Sequence, residues 1–327
     1  MKKVLALAIA AMMLLLCTSA MAEGSLVLYY SHASDWSDPI IQGFSEKYDV
    51  DVELVGLGTG ELISRIQAES ANPQADILWG GVVESYIPIE DFFESYESPE
   101  IPYLQAGAYD EDNYKWYAFD LEPMVLIYNT ELVPDGITRW DDLLNPDFKG
   151  SISTANPVQS SSAFGVMMSM IAAYGQENGE GYAFLEQFVP QLDGKMTSGS
   201  SAVYKGVGNG EYAIGLTYEE AALKYVNAGA PIQVVYPEEG TGILISPVAI
   251  IKGGPNTENA KLFVDYVIGQ EAQSQLADVY RRTCRTDVEV PDLFIATEDI
   301  PVADYSSEWV VEHAEEFYEM WEDLITE

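Results

Sequence analysis

The sequence predicts an α/β protein of two lobes, each a mainly parallel sheet flanked by helices, with a ligand cleft between them where the chain crosses twice. Three observations lead there. Between residues 26 and 79, strand-like runs (LVLYY, VDVELV, ADILW) alternate with helical patterns, the arrangement of a parallel sheet covered by helices. At 124–128 the run MVLIY is apolar, β-prone and short enough for one buried strand; a Pro- and Asp-rich segment and a second strand-like stretch at 150–154 follow. At 243–251 an apolar run is interrupted by Ser246-Pro247, which suits a bent return crossing better than a central strand. A chain that leaves one lobe near 120–128 and returns near 243–250 leaves a groove between the two.

The chain opens with a basic pair, Lys2-Lys3, an apolar run over 4–16 and a small-x-small site at Ala20-Met21-Ala22, so residues 1–22 read as a secretory signal peptide. Cys17 lies inside it as a lipid-attachment alternative, disfavoured by the bulk of Leu16. No later stretch reaches the ~18 apolar residues of a membrane span. The exported remainder, about 305 residues, is ample for a large core.

With 15 Lys and Arg against 53 Asp and Glu, the formal charge is −38. Such a surface repels phosphate backbones and excludes nucleic acid as a partner. After export only Cys284 remains, so no intrachain disulfide forms and the fold rests on its core. Basic neighbours in RRTCRTD can lower the pKa of this thiol; a structural role is the plainer reading.

The elements follow in order. A helix starts near Ser37-Asp38-Pro39, where an acceptor side chain precedes proline, and turns Ile40, Ile41 and Phe44 to one side. GLGTG at 56–60 leads into a helix over 61–68. Residues 82–100 read as a helix and an acidic, proline-terminated loop, 114–119 as a strand, and 140–144 as a short helix capped by Thr138. The segment SSAFGVMMSMIAA (161–173) is a core-facing helix, followed by helices at 182–189 and 198–207. A strand at 213–216, a helix at 218–228 and a strand at 232–236 come next. Residues 256–276 make a long amphipathic helix with Ala260, Phe263, Val264, Val267 and Ile268 on one face. The acidic tail from 302 to 324 is helical and docks through Trp309, Val310, Phe317 and Trp321.

Candidate site residues cluster at strand ends and helix starts. Ser160, Ser161 and Ser162 open a helix, where unpaired N–H groups and hydroxyls can hold an oxyanion; simple N-capping by one of them is the bland alternative. His32 ends the first strand with Ser31 and Ser34 beside it, at the carboxyl edge that faces a crevice in such sheets. Thr59 and Gly60 lie in a glycine turn without the spacing of a dinucleotide fingerprint. Trp79, Gly80 and Gly81 form a third strand end. In the second lobe Thr217, Tyr218 and Glu219 precede a helix, where an acidic first turn is the ordinary alternative, and Tyr204 is a further facing aromatic. No H-E-x-x-H, G-x-S-x-G, C-x-x-C or Walker loop is present, and His32 and His313 are the only histidines. Neither a catalytic constellation nor a cofactor motif stands out, and a secreted hydrolase or lyase remains the alternative class.

The ordered pieces LVLYYSHAS, QADILWGG, MVLIYNTELVPDGITRWDDLLNPDFKG, NPVQSSSAFG, GEYAIGLTYEEAA and VVYPEEGTGILISPVAIIKGGPNTENAKLFVDYVIGQEAQ resemble an extracellular solute-binding protein of an ABC importer. The likeness is to the ferric-iron, thiamine, phosphonate and sugar-phosphate binding group. It implies the two-lobed periplasmic-binding-protein fold, with lobe 1 from 23–123 and 250–286, lobe 2 from 124–249, and a helical region at 287–327 packed on them. It also implies a monomer that captures a small molecule by closing and delivers it to a membrane permease without chemistry. Ser31, His32, the Thr59 region, Trp79 to Gly81, Ser160 to Ser162 and Thr217 to Glu219 then line the cleft. Ferric-binding members use two adjacent tyrosines; here the matching stretch is Leu216-Thr217-Tyr218-Glu219, with one. The serine triplet resembles the oxyanion end of the phosphonate and sugar-phosphate binders. The leading expectation is therefore a small phosphonate or phosphate ester, with Glu219 meeting any amine. The alternatives are ferric iron or a chelate held by His32, Tyr218 and Glu219, and an organic cation such as thiamine or a polyamine.

Overall fold

The computed structural model describes residues 24–31, 34–197 and 199–326, so the leader expected at 1–22 lies outside the described residues. Eight strands are present among them: β1 (Gly24–Tyr30), β2 (Val50–Gly56), β3 (Ile77–Trp79), β4 (Tyr117–Asn129), β5 (Ile152–Ser153), β6 (Ile214–Tyr218), β7 (Ile232–Val235) and β8 (Ile243–Ile250). Their order is β2-β1-β3-β8-β4-β6-β5, with β7 on the far part of β4.

Strand β4 is the hub. Its first half pairs antiparallel with β8, from Tyr117 opposite Val248 to Pro123 opposite Ile243. Its second half pairs with β6, from Met124 opposite Tyr218, and with β7. One 13-residue strand thus belongs to both lobes, and the two strands expected at 114–119 and 124–128 are a single element. The intervening Asp-Leu-Glu-Pro has the composition of a turn. It stays extended because Asp120 is buried against Arg281, and the register shift between Ala118 and Asp120 absorbs the bend. Among the eight strands, parallel pairing joins β1–β2, β1–β3 and β5–β6. The sheets are therefore mixed rather than mainly parallel, since the strand that leaves the first lobe and the one that returns run in opposite directions.

The helices are α1 (Ser34–Tyr48), α2 (Thr59–Ala68), α3 (Ser161–Tyr174), α4 (Glu180–Phe188), α5 (Ser200–Gly208), α6 (Glu219–Asn227), α7 (Thr257–Val267), α8 (Gln270–Asp278) and α9 (Ser307–Thr326). Three expectations are corrected. The helix at 82–100 is two 3₁₀ turns, Val83–Ser85 and Ile87–Phe92, with Pro88 unable to extend an α-helical ladder. At 140–144 the turn is also 3₁₀, and Glu239, not Thr138, accepts from its first N–H groups, those of Trp140 and Asp141 at 3.1 and 3.3 Å; Asp142 takes those of Thr138 and Arg139 just ahead of it at 2.8 and 3.0 Å. The helix over 256–276 breaks at Gly269, whose extended backbone starts α8; a Cβ there would stand 2.7 Å from the Asp265 carbonyl.

Each lobe has its own core. Leu28, Ile77, Trp79, Phe119 and Phe263 centre the first; Leu126, Trp140, Met167, Leu185 and Leu216 centre the second. Helix α9 adds Trp309, Phe317 and Trp321 to the second core, each buried side chain contributing roughly 1.5–3 kcal/mol. One polar tie runs back from that segment to the first lobe: Tyr305 and Ser307 donate to the Glu84 carboxylate at 3.0 and 2.9 Å.

Candidate functional site

A cavity of about 280 Å³ lies beside the β4–β8 crossing, with walls from both lobes. On the first-lobe side Ser31 ends β1 and Thr59 opens α2, and the Thr59 hydroxyl donates to the Ser31 hydroxyl at 3.1 Å. Gly81 closes over them with φ of 81°, and a Cβ in its place would come within 2.6 Å of the Thr59 methyl. On the second-lobe side Ser161 and Ser162 occupy the first turn of α3, and Ser200 opens α5. Ser160 is the N-cap. Its hydroxyl accepts the Ala163 N–H at 3.3 Å and stands 3.1 Å from the Ser162 hydroxyl. The triplet thus divides its labour, one serine capping and two reaching the cavity. The amino ends of α2, α3 and α5 meet there, each bringing the positive pole of its dipole.

The remaining wall carries a group that the sequence reading passed over. Arg281 faces the cavity with its guanidinium carbon 4.1 Å from the centre of the Trp36 ring. It pairs with Asp120, with Glu122 at 3.3 Å and with Glu220 at 3.8 Å. Burial works against the Arg281 charge, but these three carboxylates outweigh it and hold the guanidinium protonated. Burial also pushes the acids of Asp120 and Glu122 above the usual carboxylate range, with Arg281 opposing. Among the described residues, Arg281 Nε and Asp120 Oδ1 are buried without a hydrogen-bond partner. Tyr218 and Ser246 complete the wall; burial, then Glu220 and Glu122, push the Tyr218 phenol up.

Several expected residues are elsewhere. Glu219 is not in the cavity: it is buried in a bidentate pair with Arg282, at 2.6 and 2.9 Å, and accepts from the Tyr236 hydroxyl. Its neighbour Glu220 faces Arg281 instead. Trp79 is fully buried in the first core, edge-on to Trp36, which takes the wall position. The Gly80 N–H donates to the Pro247 carbonyl and its own carbonyl accepts from Tyr86, so it ties β3 to β8. Gly60 is exposed on α2 outside the lining. Thr217 is buried within β6, its hydroxyl unpartnered among the described residues. Tyr204 packs on Tyr225 in the second lobe. His32 and the Ser34 side chain lie outside the described residues.

The absent signal was available in part. RRTCR places Arg281, Arg282 and Arg285 together in a chain poor in basic residues, and all three are buried among carboxylates. Glu122, Ser200 and Ser246 had no local pattern to mark them. Cys284, between these arginines, is fully buried, and burial pushes its thiol up despite Arg285. Among the described residues no group of His, Cys, Asp or Glu is arranged to hold a metal ion.

Comparison with known proteins places this architecture. The family described as bacterial extracellular solute-binding protein matches residues 86–298. A Haemophilus influenzae protein of no stated function is 31% identical over 78% of this chain and 76% of its own. Iron uptake protein A1 of Synechocystis is 26% identical, covering 76% and 72%. A putative 2-aminoethylphosphonate-binding periplasmic protein of Salmonella typhimurium is 24% identical, covering 82% and 81%. Among solved structures, the periplasmic binding protein AfuA of Actinobacillus pleuropneumoniae, with fructose-6-phosphate bound, superposes with a TM-score of 0.79 at 25% identity, over 93% of this chain and 99% of that one. Ferric-binding proteins recur among structures of like fold at 20 to 22% identity.

Proposed function

This chain belongs to the bacterial extracellular solute-binding proteins, exported and non-catalytic components that deliver a small molecule to the permease of an ABC importer, and we propose that its solute is a small phosphonate or phosphate ester. One observation carries the reading: the buried Arg281 guanidinium shares a cavity with three helix amino ends and the hydroxyls of Ser161, Ser162 and Ser200. A tetrahedral oxyanion has several oxygens to satisfy, and converging N–H, O–H and guanidinium donors satisfy them from different directions. Glu122, on the same wall, is placed to meet an ammonium group, the part earlier expected of Glu219. A solute touched by both lobes favours their closed arrangement by its differential affinity for it.

A second reading rests on a different observation. Tyr218 and Glu122 offer hard oxygen donors in the same cavity, and iron-uptake and ferric-binding proteins recur among the proteins this chain resembles. Taken alone, the comparisons favour ferric iron or a ferric chelate; the side chains of the cavity favour the oxyanion.

Calorimetric titration of the exported chain with 2-aminoethylphosphonate, fructose-6-phosphate and ferric citrate separates the two. Saturable binding of either phosphorus compound, weakened at least about tenfold in Arg281→Lys, is expected, since lysine cannot reproduce the guanidinium fork. Binding of ferric citrate alone overturns the oxyanion reading.

A further inference from the structure

Two consecutive glutamates open α6 and meet two consecutive arginines, yet the pairs differ. Arg282 donates to both Glu219 oxygens, and Tyr236 adds a third bond, so that carboxylate is fixed. Glu220 is shared. Its Oε1 accepts from Lys224 Nζ one turn along the helix, while its Oε2 stands 3.8 Å from Arg281 Nη2. That is the loosest of the three carboxylate contacts of Arg281, Asp120 and Glu122 both lying closer. It is also the one that comes from a second-lobe helix rather than from β4.

We propose that Glu220 is a specificity-determining residue of the cleft: an internal anion that holds Arg281 while the cleft is empty, then yields it to the oxyanion of an incoming solute and keeps Lys224 as its own counter-ion. The proposal rests on the oxyanion reading given above. Moving a partly buried carboxylate off a guanidinium is strongly unfavourable when it leaves the charge unpaired. Lys224 removes that penalty for Glu220, whereas among the described residues Asp120 and Glu122 form ion pairs with no cation other than Arg281. Those two therefore stay, orienting the guanidinium, and Glu220 is the exchangeable member. A neutral or cationic solute gains nothing from Arg281, because its charge is already balanced; an oxyanion that outcompetes one carboxylate gains a charge-assisted bond.

The test is a double-mutant cycle on the exported full-length chain, read by calorimetric titration with inorganic phosphate and 2-aminoethylphosphonate. Glu220→Gln removes the competitor and is expected to tighten binding about tenfold. Lys224→Met strands Glu220 on Arg281 and is expected to weaken binding about fivefold in the wild-type background, but less than about twofold when combined with Glu220→Gln. An equal effect of Lys224→Met in both backgrounds overturns the proposal, because that is what plain attraction between Lys224 and the anion produces. If wild type binds and Glu220→Gln binds no tighter, this proposal fails while the oxyanion reading stands. If neither protein binds either probe or fructose-6-phosphate, both fall together. A crystal structure of the wild-type complex with 2-aminoethylphosphonate gives a second readout that needs no variant. Glu220 should remain on Lys224 and lie beyond the ~4 Å reach of an ion pair with Arg281; a retained contact sinks the exchange.

Discussion

Arg282 grips Glu219 with two nitrogens, Nη2 at 2.6 Å and Nε at 2.9 Å, and both side chains are at least 98% withdrawn from solvent. The pair joins the segment after α8 to the start of α6 as a buried strut. Removing one partner of a buried ion pair leaves a charge with nothing to balance it. Glu219→Gln should therefore lower stability by roughly 3 kcal/mol in urea denaturation, with solute affinity of the folded fraction changed less than about threefold. A loss under about 1 kcal/mol would mean the strut behaves as a surface pair.

The serine triplet should separate by role. Ser161→Ala combined with Ser162→Ala removes two donors that face the cavity, and at roughly 1 kcal/mol per bond should weaken phosphonate binding about tenfold or more at little cost in stability. Ser160→Ala should do the reverse, losing about 1 kcal/mol of helix capping. Titration calorimetry and thermal melts on the same samples check both; unchanged affinity in the double variant contradicts the anion assignment.

Gly81 and Gly60 were equal candidates in sequence and are not equal in structure. Gly81→Ala forces a side chain into left-handed backbone and against Thr59, so a loss of about 1–2 kcal/mol is expected, with weakened solute binding as Thr59 shifts from Ser31. Gly60→Ala meets no atom within 4 Å in the first turn of α2 and should be neutral or stabilising by up to about 1 kcal/mol. Paired melting curves decide it. Identical behaviour of the two would refute the assigned backbone geometry.

Glu84 carries a pH dependence. Burial raises its pKa, and the hydroxyls of Ser307 and Tyr305 only partly offset this. A carboxyl whose folded pKa lies above its unfolded value contributes stability that is complete at low pH and lost as pH rises through the folded pKa. Glu84→Gln keeps an acceptor for Tyr305 and Ser307 but cannot ionise. The variant should melt higher than wild type at pH 8, with the advantage shrinking toward pH 4. A wild-type advantage at pH 8 would reverse the sign argued here.

Much of the molecule was legible in its residues because the relevant physics is local. The apolar runs LVLYY and ADILW and the alternation in VDVELV located three strands, and Ser160 to Ser162 announced a helix start with donors to spare. Where reasoning failed, a distant partner had overruled local preference. Asp120-Leu121-Glu122-Pro123 has turn composition, yet stays extended through the crossing, its acids paired with Arg281 far along the chain. Trp79 looked like a pocket wall and is core, since Trp36 stands in front of it. Glu219 and Glu220 are adjacent and chemically identical, and no local pattern tells which one Arg282 will claim.

The order of hydrophobic and hydroxyl-bearing segments, read alone, determined a two-lobed α/β chain with a cleft at its crossings, because periodicity and capping act over a few residues. The tertiary structure decided the charge inside that cleft. Electrostatic pairing depends on distance in space, and only folding brings residues 120, 122, 220 and 281 into one place.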